Sequence, residues 1–288
     1  VIASDVYSSS TFDGVFEIID ATDIKAIENI VNKYAVNQIY HLAAILSAKG
    51  EKNPLRTWDL NISMMLNVFE VSRTNNIKKV FFPSSIAVFG DKAPLENTPQ
   101  SAFLNPATVY GMSKAAGENW AQYYFNKYGL DVRSIRYPGI IGYQSMPGGG
   151  TTDYAVDIYH SAVKQEKYSC FLNPETKLPM IFMDDAIRST IELMQAPKES
   201  IKTRTSYNLG SMSFSPNEIT EEIQKLYPNF KVEYNADFRQ EIADKWPKSI
   251  NDDEARKDWN WKPKYDLKLM TVLMLEKLEE KYNTTTLK

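Results

Sequence analysis

The sequence predicts an α/β protein built on a doubly wound parallel sheet, with a smaller C-terminal lobe. Three observations predict it. β-like and helix-like stretches alternate through the first half. The helical stretches carry apolar residues three and four positions apart. After Pro138 the texture changes to a Gly/Pro segment followed by short elements. A length of 288 residues, 43% of them hydrophobic, is ample for such a core and excludes a disordered or collagen-like chain.

In order, Val1–Asp5 and Val15–Asp20 are short β-like runs, each closing on an aspartate, with a polar Ser/Thr/Gly connection between them. Ile24, Ile27, Ile30 and Val31 mark a helix over 23–34, and Gln38–Ala44 reads as a buried strand. A long helix over 54–74, a strand over 79–83, a helix over 108–128 and a strand over 132–137 continue the alternation. In the second half a helix opens at Thr151. A last one, over 266–282, presents Leu267, Met270, Met274 and Leu278 as a packing stripe. The division this predicts is a core over 1–145 and a substrate lobe over 146–288, with some segments returning to the core.

Composition narrows the function. The 33 basic and 36 acidic residues are interspersed, and the net charge of -3 argues against nucleic acid or an anionic membrane as partner, leaving a small-molecule ligand. One cysteine, Cys170, forms no internal disulfide, and with two histidines, His41 and His160, it builds no Cys/His-rich metal site. No apolar run approaches the roughly 18 residues of a spanning helix. The expected location is the cytoplasm, or a mitochondrial matrix if the source is eukaryotic.

The strongest local signal for chemistry is Tyr110-Gly-Met-Ser-Lys114 near the start of a helix, where residues four apart share a face. The same spacing recurs at Tyr123/Lys127 and Tyr227/Lys231, so context must discriminate. Pro228 breaks a helix after Tyr227, and bulky aromatics surround Tyr123, whereas Tyr110 sits beside small Gly111 and Ala115. Tyr110 is therefore the candidate base, with a structural tyrosine as the alternative. Upstream, Phe82-Pro-Ser-Ser85 places hydroxyls at a strand's carboxyl end, where open α/β sheets bind ligands; strand capping is the competing reading.

At these residues the chain resembles the extended short-chain dehydrogenase/reductase family, whose order is a strand-end Ser or Thr, Tyr-x-x-x-Lys, then a Pro-Gly turn. Ser85, Tyr110, Lys114 and Arg136-Tyr-Pro-Gly-Ile140 match in sequence. Pro147-Gly-Gly-Gly-Thr-Thr-Asp-Tyr-Ala-Val156, Tyr207-Asn-Leu209, Asp237-Phe-Arg-Gln240 and Trp246-Pro-Lys-Ser-Ile250 are similar to the short-chain type of L-threonine 3-dehydrogenases within it. The resemblance implies a Rossmann-type fold, NAD as cofactor, and oxidation of L-threonine to 2-amino-3-ketobutyrate. Tyr110 would be general base, Lys114 would lower its pKa and hold the nicotinamide ribose, and Ser85 would orient the reacting oxygen. A nucleotide-sugar epimerase or dehydratase is the alternative enzyme, and a non-catalytic NAD-binding protein the alternative class.

The resemblance also implies cofactor contacts at Asp5, Asp20, Ala21, Leu42, Ala43, Ala44 and Asn61, then at Tyr137, Pro138, Gly139 and Ile140. Asp5, with no arginine after it, implies NAD rather than NADP. Asp20 also reads as a helix N-cap, and His41 as a packed core histidine. Substrate contacts are expected from Ser47 and from Gly150-Thr151-Thr152, whose N–H groups and hydroxyls at a helix start suit an anion. The family's Gly-x-x-Gly-x-x-Gly turn is absent, and 12 glycines in 288 residues is a low count. The expectation is that roughly the first thirty residues, one strand–turn–helix unit, are missing. The helices over 54–74 and 108–128 carry Trp58, Met64, Met65, Val68, Trp120, Tyr123, Tyr124 and Tyr128, which predicts a homodimer.

Overall fold

The computed structural model of the chain describes residues 1–8 and 12–286. Its first half runs β1 (Ile2–Asp5), β2 (Val15–Ile18), α1 (Ile24–Lys33), β3 (Gln38–Tyr40), α2 (Ser47–Gly50), α3 (Pro54–Thr74), β4 (Lys79–Ser85), α4 (Val109–Tyr128) and β5 (Val132–Tyr137). Side-chain caps set the helix starts. Asp23 accepts the Lys25 and Ala26 amides at α1, Asn53 accepts the Arg56 amide ahead of α3, and Thr108 accepts the Gly111 amide at α4. Asp20 is therefore not the N-cap; its carboxylate closes the turn on Thr22 instead.

The second half runs β6 (Gly139–Ile141), α5 (Tyr154–Val163), β7 (Tyr168–Cys170), β8 (Leu178–Phe182), α6 (Met183–Gln195), β9 (Tyr207–Asn208), β10 (Met212–Phe214), α7 (Pro216–Gln224), β11 (Val232–Tyr234), α8 (Arg239–Ala243), α9 (Asp253–Trp259) and α10 (Leu267–Thr286). Helix α5 starts three residues later than expected. The Asp153 carboxylate accepts the Gly150 N–H at 2.7 Å and holds 151–153 as a turn.

The strands β3-β4-β5-β9 form one parallel sheet and β1-β2 a separate parallel pair. The alternation predicts one parallel sheet and the missing strand–turn–helix unit predicts exposed strand edges within it, and the sheet is divided in that way. β1 pairs only with β2 and β3 only with β4, and no other described strand bridges these edges. The same lack shortens the buried strand expected over 38–44 to three residues, with Gln38 and Tyr40 exposed and Leu42 67% exposed.

Strand alternation places a core on each sheet face. From β4, Val80 and Phe82 pack with Ile27, Val31, Met65, Phe69 and Tyr124 of α1, α3 and α4, while Phe81 packs with Leu193, Tyr207 and Trp259 on the α6 and α9 side. A third core lies around Tyr154, Tyr159, Phe214, Trp246, Met270 and Met274, beneath the β10-β8-β6 sheet. Helix α6 and strand β9, though late in the chain, join the β3-β4-β5-β9 sheet and its Phe81 face.

Candidate active site

The carboxyl ends of β4 and β5 bring the site together. Ser85 is the last residue of β4 and pairs in register with Tyr137, the last of β5. Its Oγ accepts the Ala87 amide at 3.2 Å, opening a single 3₁₀ turn over Ile86–Val88. Helix α4 then returns against that turn. A Cβ on Gly111 would lie 2.1 Å from the Ala87 carbonyl oxygen, so only glycine allows the approach that sets Tyr110 beside Ser85.

Burial governs the charges here. Desolvation pushes the Tyr110 phenol up to about 12, against a hydrogen bond with Ser85 that pulls it down. Lys114 is 5% exposed, and desolvation brings its ammonium down to about 7. Its Nζ lies 4.7 Å from the Phe82 ring centroid and 5.5 Å from that of Tyr110. The expected depression of the tyrosine by the lysine is thus not met. Both groups are desolvated, and burial sets the direction of each, with the Ser85 hydrogen bond the one opposing influence on the tyrosine.

Lys114 faces a small cavity with His41, Ala43, Ala44, Asn61, Phe82 and Ser113. His41 is buried, and desolvation with the nearby Lys114 holds its ring down at about 3, the neutral form of a packed histidine. Asn61 exchanges hydrogen bonds with the Ile45 backbone at 2.8 and 3.1 Å and donates to Ser113 Oγ at 3.3 Å, pinning the 41–46 loop to α4. Ser47 begins α2, which Glu51 ties to α4 by accepting the Val109 amide at 2.8 Å. That acid, at the helix N-terminus one residue before Tyr110, escaped sequence reasoning because the contact spans 58 positions.

On the far wall Pro138 and Gly139 are buried and Ile140 is exposed. A Cβ on Gly139 would lie 2.8 Å from Thr152 Cβ, so this turn and the Gly150-Thr151-Thr152 segment are seated together. Asp153, also missed, adds a carboxylate there and already occupies the Gly150 N–H, which lessens that amide's use for an anion. The Tyr137 side chain leaves the site: burial pushes its phenol up to about 12, against hydrogen bonding to Thr190. Asp5 ends β1, exposed, its carboxylate accepting the Tyr7 amide at 3.1 Å. Asp20 and Ala21 lie at the end of β2, where the Ala21 carbonyl accepts Asn67 Nδ2 of α3. Asp5 stands on the separate strand pair and Asp20 and Ala21 in the turn after it, apart from Ser85 and Tyr110.

The residues fit a nicotinamide cofactor on two observations. Small Ala43 and Ala44 line the cavity at the sheet's carboxyl edge, and the buried Lys114 ammonium faces it with aromatic rings as its described partners. Among the described residues no group of three or more His, Cys, Asp or Glu converges as a metal site, and no helix is long and apolar enough to cross a membrane.

The profile of the NAD dependent epimerase/dehydratase family matches residues 1–210. An uncharacterized epimerase/dehydratase of Staphylococcus haemolyticus is 46% identical over 286 residues, 98% of this chain and 90% of that protein. The structure of an L-threonine dehydrogenase from Cupriavidus necator, in holo form, is 48% identical with a TM-score of 0.95, covering 96% of this chain and 90% of that one. A monomeric L-threonine 3-dehydrogenase from a metagenome is 51% identical with a TM-score of 0.94, covering 97% and 90%. With this match over most of its length and the Ser85, Tyr110 and Lys114 convergence at the sheet's carboxyl edge, the chain belongs to the NAD-dependent epimerase/dehydratase family, with NAD as its cofactor.

Proposed function

We propose that the protein is an NAD-dependent L-threonine 3-dehydrogenase, producing 2-amino-3-ketobutyrate. The observation that carries this reading is its 48–51% identity, across nearly the whole chain, to structures of enzymes that act on L-threonine. The site chemistry agrees with it. Oxidising a secondary alcohol removes the hydroxyl proton while the hydride on the same carbon departs; NAD supplies the hydride acceptor when bound. Tyr110 takes the proton at its phenol oxygen as its own phenol proton passes to the Lys114 amine, which burial leaves partly neutral near pH 7. Ser85, close enough to Tyr110 to pull its phenol down, orients the substrate hydroxyl. Lys114, discharged near neutrality by burial, is placed to hold the nicotinamide ribose and relay the proton.

An α-amino acid also brings an ammonium and a carboxylate. Asp153 offers the acid for the ammonium, while Thr151, Thr152 and Ser47 offer hydroxyls for the carboxylate. Asp5, Asp20 and Ala21 take the adenosine side, Leu42 to Ala44 with Asn61 the middle, and Pro138 to Ile140 the nicotinamide. The core over 1–145 holds the cofactor in this reading and the lobe over 146–288 the amino acid. The test is NADH absorbance: L-threonine should reduce NAD, and analogues without the β-hydroxyl should not. Turnover of UDP-sugars with threonine inert would replace this reading by the epimerase, and NAD binding with neither activity by a non-catalytic protein.

A further inference from the structure

Three adjacent strands end in polar side chains on one face. Ser84 of β4 pairs in register with Arg136 of β5, and Arg136 with Asn208 of β9. All three are buried, and buried Glu118 of α4 lies over them. Arg136 donates Nε and Nη2 to the two Glu118 oxygens at 2.9 and 2.7 Å, and Nη1 to Asn208 Oδ1 and the Gln100 carbonyl at 3.0 Å each. Ser84 Oγ donates to Glu118 at 2.6 Å. Asn208 Nδ2 continues the network to the Thr98 and Asn251 carbonyls, at 3.1 Å each.

Each member adjoins the active site without touching it. Ser84 precedes Ser85, Arg136 precedes the Tyr137-Pro138-Gly139 turn, and Glu118 is one helical turn beyond Lys114 and two beyond Tyr110 on one face of α4. Desolvating both ions cancels most of their attraction, so a buried pair is a weak source of stability but a strong geometric constraint. We infer that Arg136 is a positioning residue: bidentate on Glu118, it fixes α4 against the ends of β4 and β5 and so sets the Tyr110–Ser85 alignment. The inference rests on the catalytic reading of those two residues. It also ties the site to the C-terminal lobe, because Asn251 belongs to a segment whose Lys248, Ser249 and Asn251 amides bond Leu95 and Thr98, in the loop between Ser85 and Tyr110.

The experiment compares two buried arginines on β5. Arg133 is equally bidentate on Asp131, but at the strand's far end, where it donates to the Leu193 and Ala196 carbonyls. Arg136→Lys should lower kcat by about tenfold or more while KM for NAD and threonine moves less than about threefold, the signature of lost alignment rather than lost binding. Its amide exchange should quicken over 84–90 and 109–118. Arg133→Lys should lower Tm and leave kcat within about twofold. Ser84→Ala, a one-atom deletion, should cut kcat about three- to tenfold at unchanged Tm. The proposal is overturned if Arg136→Lys keeps its kcat, or if Arg133→Lys loses as much. Should Arg136→Lys not fold, unchanged kcat and exchange in Ser84→Ala overturn it. A wild-type protein inert toward threonine would defeat the functional reading alone, since exchange over 84–90 and 109–118 still decides the positioning role.

Discussion

Helix α4 carries two Tyr-x-x-x-Lys pairs whose surroundings make opposite chemistry. Tyr123 is 42% exposed, and Lys127 donates to its hydroxyl at 2.7 Å, which lowers the phenol's pKa and raises the lysine's. Tyr110 and Lys114 are desolvated, and burial raises the phenol and lowers the ammonium. The better hydrogen bond thus belongs to the pair in water. Spacing puts two side chains on one face; burial against β4, with Ser85 alongside, turns that geometry into a site whose proton affinities lie away from their solution values.

The largest effect should break the symmetry of the two pairs. Tyr110→Phe is expected to lower kcat by roughly 10² to 10⁴-fold, the range of a lost general base, and Ser85→Ala by an intermediate factor. Tyr123→Phe should stay within about twofold. Equal losses at both tyrosines would show that the helix responds to packing and that the contrast has no catalytic content.

The two lysines should separate next, in stability against pH. An unfolded chain holds a lysine proton up to its ordinary value near 10.4, whereas folded Lys114 sheds it near 7. Between those limits the unfolded state binds more protons, so stability rises with pH through the window. Lys114→Met should flatten that rise by roughly 1 to 3 kcal/mol, while Lys127→Met, removing an exposed charge, should leave it in place. Urea unfolding at several pH values reads this directly. A slope insensitive to Lys114→Met would mean that the ammonium is solvated after all.

Exposure also separates Asp5 from these groups, since it must act by charge at the surface. NAD should be preferred over NADP, and Asp5→Ser should narrow the preference about tenfold by removing the repulsion toward a 2′-phosphate. Unchanged selectivity would take Asp5 out of the cofactor site.

The legibility of these regions in the sequence follows the same physics. Long amphipathic helices announce themselves, and α3 and α4 lie within a residue of their expected bounds, because their caps Asn53 and Thr108 are local. That Ser85 ends a strand and that Tyr110 lies at the start of a helix beside small residues was legible from neighbours such as Pro83 and Gly111. Glu51, Asp153 and the Arg136–Glu118 pair were not. Their partners are distant in sequence or lie in an irregular turn, and no periodicity marks a carboxylate that caps another element's amide. The length of β3 was missed for a related reason. How far a run such as Gln38–Ala44 continues as strand depends on the partners its edges find, which no local pattern encodes.

The exposed pair points to assembly. Tyr123 stacks edge-on with Trp120 (38% exposed) and Tyr128 (42%), while Met65, Val68 and Tyr124 turn inward and Trp58 (38%) is exposed near the other end of α3. The eight residues that predicted a dimer therefore split, and three large aromatics remain exposed together on the C-terminal half of α4. Monomers seldom leave such a patch in water, and an isologous pairing of helices is the commonest way to cover it. The protein is expected to be a homodimer by light scattering at micromolar concentration, and Trp120→Ala should weaken it by about tenfold. The variant matters because the unpaired edges of β1 and β3 offer a second route to association, one that this substitution leaves untouched. A dimer indifferent to Trp120→Ala would assign the contact to those edges. A monomer, the state in which the 51% identical metagenome enzyme is described, would leave the aromatics of α4 as surface stacking around Lys127.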